Sequence, residues 1–176
     1  MKIFNFLTVA ALSITVAPIC AKNFVEGEES PIPVVSYSSK MTAHVFRLKP
    51  GQDFIEELTR WAKEKEIKAG AILSVVGSFT HIHLRYADES IGDVIEGPFE
   101  IVSIVGTFND TSRHLHMSVS NAKGETFGGH MLSGNLIYTT AEVVVAELED
   151  LTFSREMDEK SEGGSGWPEL VVKPSL

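Results

Sequence analysis

The stretch from Arg113 to Gly134, RHLHMSVSNAKGETFGGHMLSG, constrains the fold more than any other part of this sequence. A β-strand sends successive side chains to opposite faces. Over Arg113 to Ser120 that alternation puts His114, His116 and Ser118 on one face and Leu115, Met117 and Val119 on the other. Asn121 to Gly124 supplies residues that tolerate the positive φ of a tight turn. A second extended run follows and ends in Gly128-Gly129-His130. Pairing of the two runs as a hairpin brings His130 back towards His114 and His116. Three imidazoles converging in this way describe a metal site.

The rest of the chain reads as strands around one helix. Gln52 to Ile67 predicts that helix, because Phe54, Leu58, Trp61 and Ala62 fall on one stripe at helical spacing. Asp53 with Glu56 resembles a capping box, and Lys63, Lys65 and Lys68 lie where the helix dipole favours cations. Strands are expected at Met41 to Leu48, with Met41, Ala43 and Val45 on one side, and at Ala69 to Phe79, with a bulge or bend at Gly77-Ser78. Thr80 to Tyr86 alternates Ile82, Leu84 and Tyr86 against His81, His83 and Arg85. Further strands are expected at Phe99 to Phe108, Asn135 to Leu148, Leu151 to Arg155 and, as an edge, Trp167 to Val172. Residues 87–98 read as a loop with room for a short strand around Val94, and 158–166 as a loop. The implied class is α+β, a single antiparallel β-sheet domain with one main flanking helix.

Residues 1–21 have the layout of a secretory signal peptide: Lys2, an uncharged and mostly apolar run from Ile3 to Val16, Pro18, and Ala21 before the cleavage point. The apolar run is short for a bilayer span, so no stable membrane insertion is expected after cleavage. The expectation is a secreted or periplasmic protein, with a flexible leader over 22–39 and the domain over 40–173. Cys20 is the only cysteine, so the mature chain would have neither a disulfide nor a thiolate. The net charge of −9, without a local run of Lys and Arg, argues against a nucleic-acid partner. Asn109-Asp110-Thr111 fits the N-glycosylation pattern in an expected loop.

Among divalent metals, zinc suits neutral imidazoles best, and three protein ligands leave one tetrahedral position open, as in catalytic sites. The competing reading makes the histidines exposed strand residues or core residues satisfied by the backbone. Glu100 and Glu142 are the candidate catalytic carboxylates, since each sits in an apolar run where a lone carboxylate is costly. They could equally form structural ion pairs with Arg85 or Arg155. His81 and His83 read as solvent-facing, because two ligands on one strand hold metal weakly. Gly128 and Gly129 make either a bulge or a close backbone approach.

From Met41 to Val172 the chain resembles the plants and prokaryotes conserved (PPC) domain family. The matching residues, in order, are Arg47-Leu48-Lys49-Pro50-Gly51, Gly77-Ser78, Leu84-Arg85-Tyr86, Phe99-Glu100-Ile101 through Gly106-Thr107, and His114-Leu115-His116. Gly124, Gly128-Gly129-His130, Gly134 and Thr140-Ala141-Glu142 follow. Phe153-Ser154-Arg155-Glu156, Asp158 and Glu169-Leu170 look like the prokaryote type. The resemblance implies an antiparallel sheet with a flanking helix, a homotrimer and, as in some prokaryote-type members, a metal on the three histidines. Plant members add basic hooks for the DNA minor groove. No Arg-Gly-Arg-Pro-like segment is present here, so the DNA-linked role does not carry over. Three readings of function follow: an exported homotrimer binding a divalent metal and a small-molecule ligand that the sequence does not name, a zinc-dependent hydrolase of a small polar substrate, or a metal-free trimerisation module.

Overall fold

Asp53 starts the helix as expected: its carboxylate accepts the backbone N–H of Glu56, and α1 runs Phe54–Glu64. This computed structural model describes residues 34–159 and 164–175, so the expected signal peptide and most of the leader lie outside the described residues. The strands are β1 (Met41–Leu48), β2 (Gly70–Arg85), β3 (Asp93–Phe108), β4 (Arg113–Ser120), β5 (Thr126–Met131), β6 (Ile137–Leu148), β7 (Leu151–Met157) and β8 (Pro168–Pro174). Among the described residues no helix is long and apolar enough to cross a membrane.

Six strands form an antiparallel sheet in the order β1-β6-β2-β3-β4-β5, and β5 also pairs with the far end of β2. The last four strands therefore curl closed on themselves. β7 and β8 form a separate two-stranded ribbon, which corrects the expectation of a single sheet. Two strands are also longer than expected. Ala69 to Phe79 and Thr80 to Tyr86 merge into β2, which shifts register at Gly77–Phe79 against β6 and at Phe79–His81 against β3. β3 starts at Asp93, inside the expected loop, and Gly97-Pro98 falls beside that second irregularity, where the N–H that proline lacks is not needed.

The core lies between α1 and the inner face of the sheet. Phe54, Ile55, Leu58 and Ala62 of α1 are buried with Phe79, Ile82, Leu84, Leu115, Val143 and Val145. Each of these side chains other than Ala62 contributes about 1.5–3 kcal/mol on burial. In β1 the inner face is His44, Phe46 and Leu48, and Met41, Ala43 and Val45 face outward. The aromatic contact decides this, since Phe46 and His44 pack against Trp61 with centroids 5.0 and 5.2 Å apart.

Candidate metal centre

The hairpin closes as its alternation requires. Leu115, Met117 and Val119 point into the core, while His114 is half-buried and His116 exposed on the other face. The register sets His116 directly opposite His130 on β5, and His130 in turn opposite Arg85 on β2. Gly128 and Gly129 stay in register with β4, so they make no bulge there. Gly129 instead permits a close approach: a Cβ at that position would lie 2.8 Å from the carbonyl oxygen of Arg85. Gly106, opposite Leu115 at φ +137°, has no room for a Cβ against the carbonyl of His114. The two glycines hold the histidine strands against their neighbours.

The three rings form a compact triangle, with centroids 5.0, 5.1 and 5.5 Å apart. One nitrogen from each lies within 4.8 Å of the others. Nε2 of His114 and Nε2 of His116 are 3.2 Å apart. Two nitrogens on one tetrahedral zinc, each about 2.0–2.1 Å from the ion, would be separated by about 3.3 Å. The side chains thus already stand at ligand spacing. His130 adds the clearest mark of a site: its Nδ1 is the one buried side-chain nitrogen or oxygen among the described residues without a hydrogen-bond partner. Such an atom is costly unless something binds it. The donor set fits a divalent ion.

Protonation supports this fit. Burial, and then the nearby Arg85 guanidinium, lowers the His130 pKa to about 4. His114 is lowered too, by burial first and then by Arg155. Both rings are therefore neutral at pH 7, the form that ligates metal. Outside the triangle lies a cleft of about 680 Å³ whose wall includes His114, His130, Arg85, Arg113, Arg155 and Trp167. The β7–β8 ribbon supplies Arg155 and, at the start of β8, Trp167 and Glu169. Arg155 donates to Nδ1 of His114 at 3.2 Å and to Oγ1 of Thr107 at 3.1 Å. The Arg85 guanidinium sits 5.3 Å from the centroid of Trp167.

Glu100 and Glu142 lie apart from the triad within this chain. Both are exposed, and neither joins the histidine cluster or lines the cleft. Glu100 is opposite Ser120, four residues along β4 from His116 or about 13 Å of strand; Glu142 is opposite Arg47 and Val76. Their apolar neighbours are not all buried, since Val76, Val102 and Val105 also face outward, so burial does not raise the cost of these carboxylates. Neither glutamate forms an ion pair with Arg85 or Arg155 among the described residues. His81 bonds to Thr80 and His83 to the carbonyl of Ser133, both outside the cluster. Arg113 and Glu169 were missed as cleft residues. Their only available signal was position, Arg113 next to His114 and Glu169 beside Trp167. Asn109, the sequon asparagine, is buried: its amide donates to the carbonyl of Phe153 and its oxygen accepts from Thr111 and Ser112.

A closing antiparallel sheet, one flanking helix and a histidine triad on the returning hairpin define a domain of the kind the motifs suggested. The family model of the Plants and Prokaryotes Conserved (PCC) domain matches residues 35–149, and the chain belongs to that family, called PPC above. A hypothetical protein from Salmonella enterica has a similar structure, with a TM-score of 0.76 and 36% identity over 80% of this chain and 99% of that one. A metal-containing protein from Archaeoglobus fulgidus shares the fold, with a TM-score of 0.66 and 24% identity over 80% of this chain and 99% of that one. The bifunctional protein GlmU of a Synechococcus strain is 38% identical over 83% of this chain. The chain spans only 22% of the length of that relative.

Proposed function

We propose that this chain is an exported PPC-domain protein, a homotrimer that binds one zinc-like divalent ion per chain through His114, His116 and His130. The observation that carries the metal reading is the convergent triad with its partnerless Nδ1 on His130. When bound, the ion would supply a Lewis acid, and the protein supplies imidazoles and, in the neighbouring cleft wall, guanidinium groups. Support for self-assembly comes from the outer sheet face, where Val45, Leu73, Val76, Val102 and Val105 are all at least half exposed. Support for export is the charge and hydropathy layout of residues 1–21.

Hydrolysis of a small polar substrate is a second reading. What favours it is Glu169, a carboxylate in the wall of the same cleft and able to serve as a base. A metal-free trimerisation module explains the apolar face but leaves His130 unsatisfied. The test is elemental analysis of protein purified without a polyhistidine tag, with light scattering on the same sample. The proposal expects near one zinc per chain and a trimeric mass. A stable trimer that takes up no metal would leave the module reading in its place. Ester or phosphoester turnover abolished by His116→Ala would establish the hydrolase.

A further inference from the structure

Three of the five arginines in this acidic chain, Arg85, Arg113 and Arg155, come from three different segments to line one cleft. Among the described residues none of the three has a carboxylate within salt-bridge distance, whereas Arg60 holds two. This is not for want of acids, since Asp88, Glu89 and Glu169 line the same cleft. The arginines use few of their five donors each. Arg85 donates to the carbonyl of Glu89 at 3.0 Å, Arg113 to the Ser133 hydroxyl at 3.4 Å, and Arg155 to His114 and Thr107. An anion in the cleft would take up the donors that the three guanidinium groups leave spare.

We infer that the cleft binds a small organic anion, a carboxylate or phosphate monoester, whose charged end is held by Arg85, Arg113 and Arg155 beside the histidine triad and whose apolar body packs against Trp167. The inference deepens the metal reading and rests on it for a coupling between ion and anion. A guanidinium only donates, so the bond to Nδ1 of His114 fixes the lone pair there and the proton on Nε2. With an ion held by Nε2, the ring N–H would stand on Nδ1, Arg155 would lose its acceptor, and its guanidinium would be free for an anion. Ion and anion would then bind cooperatively.

Calorimetry on the full-length, untagged chain tests this with inorganic phosphate, phenyl phosphate and uncharged phenol, each titrated into zinc-loaded and zinc-stripped protein. Zinc content is measured separately on every sample. Phenyl phosphate is expected to bind more tightly than inorganic phosphate, phenol not to bind, and zinc loading to strengthen both anions. Arg85→Gln and Arg113→Gln should each weaken phenyl phosphate by about tenfold or more with zinc content unchanged, and Arg113→Lys should recover part of the loss. Failure of the wild-type protein to bind either anion at millimolar concentration overturns the inference. So does equal affinity in the Arg85→Gln/Arg113→Gln double variant. Arginine-dependent binding by a chain that takes up no zinc would keep the anion site and refute the metal reading.

Discussion

Two polar clusters, one around the buried Asn135 and one around His130, are built to opposite rules. At the first, every polar side-chain atom finds a partner inside the fold. Asn135 accepts the backbone N–H of His83 and donates to the carbonyl of Leu132, while Asp53 takes the N–H groups of Glu56 and Gly134. At the second, among the described residues, Nδ1 of His130 has no partner and three arginines nearby lack carboxylates. The same chain that satisfies Asn135, fully buried between β2 and the start of β6, leaves the histidine cleft unfinished. Polar groups in the first cluster hold the backbone together. Those in the second keep bonding capacity that the described fold does not use.

That contrast can be broken by substitution. The largest effect is expected at His116→Ala, where zinc affinity measured by competition with a chelating dye should fall by more than about a hundredfold, beyond the loss typical of outer-sphere changes. Because His116 is exposed, urea denaturation of the metal-free variant should stay within about 0.5 kcal/mol of wild type. Next comes Asn135→Leu, which orphans the N–H of His83 and the carbonyl of Leu132 and should cost about 2–4 kcal/mol of folding stability. His130→Leu, by contrast, removes an unsatisfied atom and should leave the metal-free protein as stable as wild type or more so. Equal losses at the two positions would erase the distinction. Gly106→Ala forces a Cβ against the carbonyl of His114 at an unfavourable φ and should cost about 1–3 kcal/mol in the same measurement.

A pH dependence gives a further test. His130 has a folded pKa of about 4, below the usual 6.5, so the unfolded chain binds more protons between those values. Stability of the metal-free protein should therefore fall as pH drops from 6.5 towards 4, and His130→Leu should flatten that slope. The groups acting on this ring are Arg85, Arg155, His114 and His116. A slope unchanged in the variant would show that the ring is not held neutral by its surroundings.

Much of this was legible from residue order. The two-residue period of a strand placed His114 and His116 on one face, and Asn121 to Gly124 marked the turn that returned His130. Sequence-local signals also found α1 and the irregularity at Gly77. What stayed hidden depends on contacts between distant segments. The closure of β5 onto β2, the pairing of β7 with β8 apart from the main sheet, and the meeting of three arginines have no local pattern. Glu100 and Glu142 show the other limit: an apolar run does not mean burial on both faces, since Val102 and Val105 lie on an open one.

X-ray absorption at the zinc edge on the loaded, untagged protein tests the central claim most directly. The account predicts three imidazole nitrogens at about 2.0–2.1 Å around one ion, with that pattern lost in His130→Leu. A shell of oxygens alone, or an unchanged spectrum in the variant, would contradict it.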